Sequence, residues 1–349
     1  MNKRYLINEV AKQFNISTNK LRFYEKKGMI QPKRDDENNY RYYTESDLIK
    51  LQAILLYRLL NMPIKDIKNI INDNCSHNML EHFNKQWLAV NDEIHRMALI
   101  RDSLEGIMDS IYDSDNNELQ ERIHSSIENM GKIYEIKENW RDRWGFDSWA
   151  KTYDISVEED ISSTKMYRKY DDVLNKVYTL ATKNIKTNSK ILDIGVGTGN
   201  LSKRFLENGY SNIIGLDQSR EMIHVAKSKF PNLKLRLGEF LKIPFENSVF
   251  DLIVSTYAFH HLSEEEKPVA IKEMLRVLKD NGKIVIGDLM FKSEEDKKEI
   301  YKNLSKGQIS EIEDEYYSNI KILKDECTKY NKDLCAYKID TLVFVIEIQ

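Results

Sequence analysis

The chain has 349 residues, and at roughly 150 residues per domain this length favours two or three domains over one. Hydrophobic residues make up 41% of it and charged residues 31%, a balance that excludes wholesale disorder. No apolar run approaches the roughly 20 residues of a membrane helix, and the opening MNKRYLINEVAKQF lacks the apolar core of a signal peptide. Cys75, Cys327 and Cys335 form no CxxC pair, which disfavours a disulfide framework and a sequence-local zinc site. We therefore predict a cytoplasmic protein that holds no metal.

The charge is distributed unevenly along the chain. Residues 1–34 carry nine Lys and Arg against two acids, or +7, so the remainder sums to −10 within the net charge of −3. A basic end on an acidic body is typical of a nucleic-acid-binding surface joined to a part with another task. On charge alone, a merely solvated charged face is about as good an interpretation.

The N-terminal residues have the pattern of a helix-turn-helix. Ser17 follows a short turn and can cap a second helix, which extends from Thr18 to about Lys27 and stops at Gly28. The first helix is amphipathic, with apolar residues at helical spacing: Ile7, Val10, Ala11 and Phe14. In a helix-turn-helix the second helix enters the major groove of DNA. We predict that this helix exposes three side chains that suit contacts with phosphates or base edges, Lys20, Arg22 and Tyr24.

A β-hairpin is predicted to follow the second helix. Its turn is Asn38-Asn39, which can supply the positive φ that a hairpin turn needs, and the aromatic stretch Tyr40–Tyr43 after it is typical of a strand. We interpret this hairpin as a wing. Further helices are predicted to begin near Thr44, which can act as a cap, and at Pro63.

The segment from Ile7 to Ile71, above all LRFYEKKGMI and NYRYYTESDL, resembles the winged-helix domain of the MerR family of bacterial transcription regulators. In that family the second helix and the wing grip operator DNA. The resemblance implies DNA contacts by Lys20, Arg22, Tyr24, Arg34, Arg41 and Tyr42. Asn39 stands where the family commonly has Gly, but Asn tolerates the left-handed conformation that the turn needs. The neighbouring aromatic side chains are expected in the core: Phe23, Tyr40 and Tyr43.

A long amphipathic helix is predicted next. Its seam advances in steps of three and four residues and is apolar except at Arg101: Leu80, Phe83, Trp87, Val90, Ile94, Met97, Arg101, Leu104, Met108 and Ile111. Such a seam needs a partner, either a second copy of the chain in a coiled coil or the chain's own next domain. Helix-turn-helix proteins commonly read two half-sites as dimers, and the resemblance to MerR implies a homodimer through an antiparallel coiled coil. The lone Cys75 argues against the metal sensing of some relatives.

From about Phe146 the sequence alternates strand and helix patterns, which is typical of βαβ units and a parallel sheet covered on both faces. The predicted fold is therefore multidomain: an all-α winged helix-turn-helix with a long dimerisation helix, then a Rossmann-like α/β domain. The predicted boundaries are 1–75 for the DNA-binding domain, 76–112 for the coiled coil, 113–139 for a polar turn and linker helix, and 140–349 for the α/β domain.

The first strand of the α/β domain ends in a glycine-rich loop, Asp193 to Asn200, with the spacing G-x-G-x-G. A dinucleotide fingerprint would need a glycine where Asn200 stands, and the spacing alone is weak evidence for a ligand. Asp217 closes the second strand, where a carboxylate can accept both hydroxyls of a ribose. Glu239 follows the third strand, near the expected place of an adenine amino group. Either acid could instead cap a helix.

Five motifs in order, ILDIGVGTGN, IIGLDQSREMI, GEFLKIPF, FDLIVSTYAFHHL and LRVLKDNGKIVI, resemble a class I S-adenosylmethionine-dependent methyltransferase. The resemblance implies S-adenosylmethionine as cofactor and a mostly parallel seven-stranded sheet, which IDTLVFVIEIQ would close. It implies that Asp217 holds the ribose, that Met222 packs on the adenine, and that Glu239 and the Phe240 backbone meet the adenine edge. The further cofactor-binding positions that it implies are Tyr153, Asp193, Gly195, Gly197, Gln218 and Ser255.

Methyl transfer from a sulfonium requires an aligned acceptor and the exclusion of water, and a base only where the acceptor must lose a proton. His260, just past the fourth strand, is the candidate base, although YAFHHL could equally be a packing corner. DNA is disfavoured as the acceptor, because Ser255–Ala258 replaces the Pro-Pro-aromatic motif of amino-methylating DNA enzymes. Two functions stay open: a regulator with a working methyltransferase for a small molecule, or one that binds S-adenosylmethionine or a related ligand only as a signal.

Overall fold

The computed structural model describes the chain except for residues 1–3, 36–38, 61, 73–78, 114–118, 141 and 161, and it describes residues 72, 79–82, 110, 112, 113 and 119 by their backbone alone. The described chain divides into two compact units, Met1–Ala98 and Leu99–Gln349. No helix of the described chain is long and apolar enough to cross a membrane. Cys75, the side chain of Leu80 and most of the polar turn predicted after the long helix lie outside the described residues.

The first unit is a small helical domain with a three-stranded antiparallel sheet in the order β1-β3-β2. Its helices pack around a core that includes Leu21, Leu51 and Ile54, all fully buried. The sheet contains a strand that the sequence analysis did not predict, Tyr5–Leu6, which pairs with Tyr42 and Tyr43. Its elements are β1 Tyr5–Leu6, α1 Ile7–Gln13, α2 Thr18–Lys26, β2 Lys33–Arg34, β3 Arg41–Tyr43, α3 Glu45–Leu59 and α4 Ile64–Asn72.

Local chemistry explains where these helices begin and end. The Ser17 side chain accepts a hydrogen bond from the Lys20 backbone N–H and so caps α2. Thr44 and Asp47 form a capping box at the start of α3, which satisfies amide groups that the helix cannot pair internally. Asn39 adopts a φ of +59°, as the predicted wing turn requires.

Two long helices follow, α5 Met79–Asp113 and α6 Leu119–Asn139. The predicted apolar seam of α5 leaves much of its surface accessible. Its most accessible described apolar side chains are Ile94, Met97, Leu104, Met108 and Ile111, each more than half exposed. A helix with such a stripe requires a partner surface to remove it from water.

The second unit contains the α/β domain predicted from the alternation of strands and helices. Its strands are β4 Ile191–Ile194, β5 Ile213–Asp217, β6 Lys234–Leu237, β7 Phe250–Thr256, β8 Leu278–Phe291, β9 Ser318–Asn319, β10 Leu334–Lys338 and β11 Val343–Ile348. Its helices after α6 are α7 Phe146–Trp149, α8 Tyr153–Glu159, α9 Tyr170–Thr182, α10 Asn200–Glu207, α11 Arg220–Lys229, α12 Glu266–Val277, α13 Glu294–Tyr301, α14 Lys306–Asp314 and α15 Ile320–Thr328, with a 3₁₀ helix at Phe259–His261.

The main sheet has the strand order β10-β11-β8-β7-β4-β5-β6, and β9 pairs with β8 beside it. Strands β6, β5, β4, β7 and β8 are parallel, whereas β11 runs antiparallel to β8 and β10. The predicted closing strand in IDTLVFVIEIQ is thus confirmed as β11. Apolar clusters cover both faces of this sheet, as the near-continuous hydrophobic runs of its strands require. The strand order reverses between β4 and β7, where open α/β sheets bind ligands at the carboxyl ends of the strands.

Candidate functional site

A cavity opens at the point where the strand order reverses in the second unit. The glycine-rich loop after β4, Asp217 at the end of β5 and Thr256 at the end of β7 all contribute to its wall. It contains about 800 Å³ of empty space, including the part open to solvent, which is within the range of small-molecule sites.

The glycine-rich loop has the backbone shape that lets a ligand approach closely. Gly195 has a φ of +68°, and a Cβ there would lie 2.3 Å from the Cβ of Ala258. Gly197 has a φ of +52°, and a Cβ there would meet no described atom within 4 Å, so the loop backbone faces open space. Glycine is therefore required at the first position by crowding and favoured at both by conformation.

Asp217 is the acid that the structure positions at the ligand side of β5. Its Oδ2 accepts the Gly197 N–H at 2.8 Å, and its Oδ1 accepts the Ser219 N–H at 2.9 Å. Burial raises its pKa to about 6, against the opposing effect of these two hydrogen bonds. The carboxylate is thus fixed in direction, and each oxygen keeps a lone pair for a further donor.

Most of the predicted binding residues meet in the cavity wall: Tyr153, Gly195, Gly197, Asp217, Gln218, Met222, Glu239 and Phe240. Asp193 does not line it. The Asp193 side chain leaves β4 on the face that α10 covers, where it accepts the Ser202 hydroxyl at 2.6 Å, and burial raises its pKa to about 7. Ser255 does not line it either, because it is fully buried within β7 and Thr256, at the strand end, faces the cavity instead.

Aromatic side chains that the sequence analysis missed form another part of the wall: Trp140, Phe146, Trp149, Tyr170 and Tyr257. Trp140 follows α6 directly, and its Nε1–H donates to Oε1 of Gln218 at 3.0 Å. The sequence did contain a signal, because three of the chain's four tryptophans lie within WRDRWGFDSW. This clustering does not predict which side chains face a cavity.

The two histidines differ in their position relative to the cavity, and the prediction for His260 needs a correction. His260, the predicted base, is 2% exposed and does not line the cavity, whereas His261 does. The reason is the 3₁₀ helix that contains both, since consecutive side chains of such a helix point about 120° apart. His260 Nδ1 instead lies 2.5 Å from Oδ1 of Asp288.

The charges around the two rings differ. Burial would lower the pKa of His260, but the Asp288 and Glu315 carboxylates hold it above its ordinary value. Burial and the neighbouring His260 lower the pKa of His261 to about 4, although its Nδ1 lies 3.0 Å from a Glu315 oxygen. Burial would raise the pKa of Asp288, but the charge of His260, its hydrogen bond and the Leu289 N–H hold this pKa below its ordinary value.

On the first unit, five of the six predicted DNA-contacting residues are at least partly exposed. Lys20, Arg22 and Arg34 are exposed. Arg41 is partly exposed and pairs with Glu25 at 3.1 Å, and Tyr42 is partly covered by the guanidinium of Arg4, 4.5 Å from its ring centre.

The expectations for the remaining aromatic side chains of this unit were partly wrong. Tyr24 is 2% exposed, because α2 packs the same face as Leu21 into the core. Tyr40 is 70% and Phe23 41% exposed, against the expectation that both belong to the core. Tyr43 is buried as expected, and its hydroxyl donates to Glu25.

Comparison with known proteins agrees with both halves of this architecture. Residues 5–74 match the MerR HTH family of regulatory proteins, and residues 191–282 match the methyltransferase domain family. An uncharacterized methyltransferase of Oceanobacillus iheyensis is 37% identical over 206 residues, which are 58% of this chain and 93% of that protein. The chain belongs to this methyltransferase family. A methyltransferase of Alkaliphilus oremlandii, also uncharacterized, is 36% identical over 58% of this chain and 94% of its own length.

Among solved structures, magnesium protoporphyrin IX methyltransferase from Synechocystis PCC 6803 is 13% identical, with a TM-score of 0.46, over 59% of this chain and 99% of that one. The two family matches show that the protein joins a MerR-type helix-turn-helix domain to a class I methyltransferase domain. The segment matching the methyltransferase family contains the glycine-rich loop, Asp217, Glu239 and both histidines, whereas the aromatic residues Trp140–Tyr170 precede it.

Proposed function

We propose that the protein is a DNA-binding transcription regulator whose effector domain is a working S-adenosylmethionine-dependent methyltransferase acting on a small molecule. The observation that carries this proposal is the buried Asp217 carboxylate, fixed by two amide groups at the cavity beside an open glycine loop. We propose the domains as 1–75, 76–112, 113–139 and 140–349.

The residues of the cavity suit the chemical parts of S-adenosylmethionine. Asp217 would accept the ribose hydroxyls, and the Met222 side chain offers an apolar surface for the adenine, whose edge Glu239 would meet. The backbone of Gly197, which faces open space, the neighbouring Gly195 and Tyr153 would border the methionine end. The donor, when bound, supplies a methyl group already activated on a sulfonium, so the protein must mainly align the acceptor and exclude water.

A small acceptor is favoured by the aromatic wall. Phe146 and Trp149, from the short helix α7, and Tyr153, from α8, border the cavity together with Trp140. Aromatic side chains exclude water and bind flat or apolar groups, which suits a compact molecule. An extruded DNA base would need access for its attached backbone, and the sequence lacks the Pro-Pro-aromatic motif that fixes such a base.

The test is methyl transfer by the full chain. The purified protein would be incubated with methyl-labelled S-adenosylmethionine and a small-molecule extract of bacterial cells, then separated by chromatography. We expect a labelled small molecule with the wild type and none with Asp217→Ala. Donor binding without any labelled product would instead favour the alternative function, in which the domain binds S-adenosylmethionine or a related ligand only as a signal.

A regulatory role requires the ligand to discriminate between two states of the protein. Contacts at the end of α6 could connect this helix with the cavity. Trp140 lines the cavity, and the nearly buried side chains of Lys137 and Glu273 pair at 3.1 Å. Coupling of about 1–3 kcal/mol would change operator affinity by roughly 5- to 150-fold when the cavity fills. The acceptor or the demethylated product is the favoured signal, because the donor is usually present in cells.

Titration of operator DNA, selected from a random pool, with and without donor, product and acceptor would measure this coupling. Trp140→Phe keeps an aromatic ring but removes the hydrogen bond to Gln218, so we expect it to reduce the coupling. Identical DNA affinity and distortion in all ligand states would mean that the two domains are merely tethered.

A further inference from the structure

Two adjacent histidines and a carboxylate that is distant in the sequence converge beside the cavity wall. One ligand atom each of His260, His261 and Glu315 lies within 4.8 Å of the other two. His261 Nδ1 is 3.0 Å and His260 Nε2 is 3.7 Å from the same Glu315 oxygen. Both histidines are buried, and the Glu315 side chain is 18% exposed. Two imidazoles and one carboxylate are the donor set of one class of catalytic zinc sites.

Two of the three separations between ligand atoms are close to those that a small ion would need. Zinc bonds of about 2.0–2.2 Å in tetrahedral geometry place neighbouring ligand atoms about 3.3 Å apart. The two observed separations to the Glu315 oxygen lie on either side of this value. The third separation, between the two imidazole nitrogens, is at most 4.8 Å, so rotations of the side chains would be needed to bring all three atoms to bonding distance.

A second carboxylate holds the first imidazole in the required direction. Asp288, on β8, contacts Nδ1 of His260 with its Oδ1, which leaves Nε2 on the side of Glu315. Its Oδ2 accepts three successive backbone N–H groups, those of Ala258, Phe259 and His260. Carboxylates that hold the second nitrogen of a ligand histidine in this way orient it and strengthen metal binding.

The second imidazole is held by packing. The ring of His261 lies 4.5 Å from that of Trp144 and 4.8 Å from that of Phe146, measured between ring centres. His261 also lines the cavity, so an ion bound to its Nδ1 would lie close to the cavity wall.

We propose that His260, His261 and Glu315 bind one divalent transition metal ion, with zinc favoured by the donor set, and that Asp288 positions His260 for it. A coordination position not taken by the protein would be available to an oxygen, nitrogen or sulfur atom of a ligand in the cavity. Metal binding is independent of the proposed methyl transfer, so either can fail without the other. Sequence-local spacing could not indicate this site, because Glu315 lies far along the chain from the histidines.

The test uses the full chain, stripped of metal with a chelator and titrated with zinc(II), or with cobalt(II) as a spectroscopic probe. We expect one equivalent of bound ion per chain and visible cobalt bands of an ion with nitrogen ligands. Glu315→Gln, which preserves side-chain size, and His261→Ala should each abolish saturable binding. Asp288→Asn should weaken it about 10- to 100-fold.

The matched controls are His224→Ala and Glu299→Gln, which alter exposed residues outside the cluster and should bind the ion as the wild type does. Circular dichroism and calorimetric binding of S-adenosylmethionine would verify that each variant is folded. Absence of saturable zinc and cobalt binding in the folded wild type, or unchanged binding in folded Glu315→Gln, would overturn the proposal and leave the cluster a hydrogen-bonded network.

Discussion

The two units of this protein place their functional side chains in opposite environments. On α2 the candidate DNA contacts Lys20 and Arg22 are exposed, while Leu21 and Tyr24 on the same helix form part of the core. In the methyltransferase domain the principal candidate, Asp217, is itself 8% exposed and held by backbone amides. The first arrangement separates the functional surface from the core, whereas the second builds the site from residues that are part of the core.

This difference has physical consequences. An exposed Arg or Lys keeps its ordinary hydration, so its removal should change DNA binding and leave the fold intact. A buried carboxylate loses solvation and needs compensating hydrogen bonds, and its pKa rises when the compensation is incomplete. Changes at the second kind of site should therefore affect ligand binding and folding stability together.

The exposed apolar seam of α5 belongs to neither arrangement, and we expect its alteration to have the most severe consequence. Leu104 is 55% exposed, and Leu104→Glu would put a charge into the proposed dimer interface without disturbing a core position. We expect light scattering at micromolar concentration to give twice the 41.2 kDa chain mass for the wild type and a single chain for the variant. Glu105→Ala, beside the seam, should stay dimeric. A single-chain mass for the wild type would contradict the coiled-coil dimer.

The second prediction concerns the buried carboxylate of Asp217. Asp217→Ala removes two charge-assisted hydrogen bonds to the donor ribose, which should cost about 2–4 kcal/mol, or roughly 30- to 900-fold in affinity. Calorimetric titration with S-adenosylmethionine would measure this loss. Asp171→Ala, with a side chain 82% exposed, is the matched control and should bind normally. Glu239→Ala should cost less, because one adenine contact is involved. Unchanged affinity in Asp217→Ala would remove the site assignment.

Strand topology explains which of the predicted residues meet in the cavity wall. Carboxyl ends of parallel strands meet at one edge of a sheet, so Gly195, Asp217 and Glu239 could be placed together from strand patterns alone. The sequence could not predict side-chain directions that change from one residue to the next. His260 and His261 are neighbours in a 3₁₀ helix, Ser255 and Thr256 are neighbours in β7, and only the second residue of each pair lines the cavity.

Contacts between segments that are distant in the chain could not be predicted from the sequence either. Trp140 meets Gln218 across 78 residues, and no periodicity in the sequence connects the end of a linker helix with the loop after β5. In the first unit, Tyr24 and Tyr40 were both misplaced because a tyrosine suits a core and a surface equally well. Helical spacing could have placed Tyr24, which lies three positions after the buried Leu21.

A smaller effect, on DNA affinity, is expected at the exposed residue Arg22. Arg22→Ala should lower affinity for a selected operator duplex by about 1–3 kcal/mol and should leave the melting temperature unchanged. Tyr24→Phe should not change DNA affinity, because the buried ring cannot reach DNA. Fluorescence anisotropy at several salt concentrations would measure both variants. Loss of DNA binding in folded Tyr24→Phe would contradict the proposal that α2 contacts DNA through the face with Lys20 and Arg22.

The smallest expected effect concerns pH, and it distinguishes donor binding from folding. The pKa of Asp217 is raised to about 6, and only the ionised carboxylate accepts both ribose hydroxyls. Donor affinity should therefore be constant above about pH 6 and fall up to tenfold per pH unit below it. Asp217→Asn should bind weakly at every pH and lose this dependence. Calorimetry between pH 5 and 7.5 is the measurement, and a flat wild-type profile would contradict the role of Asp217.

Folding stability should respond with the opposite sign. Burial raises the pKa values of Asp217 and Asp193 from the ordinary value of 3.8 to about 6 and about 7. For each residue, the native chain therefore binds more protons than the unfolded chain at a pH between 3.8 and its raised pKa. Their contribution to the unfolding free energy is therefore greatest below pH 3.8 and decreases as the pH rises through 6 and 7. Since Asp142 and Asp147 also raise the pKa of Asp217, the comparison should be made between wild type and Asp217→Asn. We expect the wild type to bind the donor more weakly at pH 5 than at pH 7. We also expect its stability advantage over Asp217→Asn to be greater at pH 5. Both results together would show that the affinity is lost because the site titrates and not because the protein unfolds in acid.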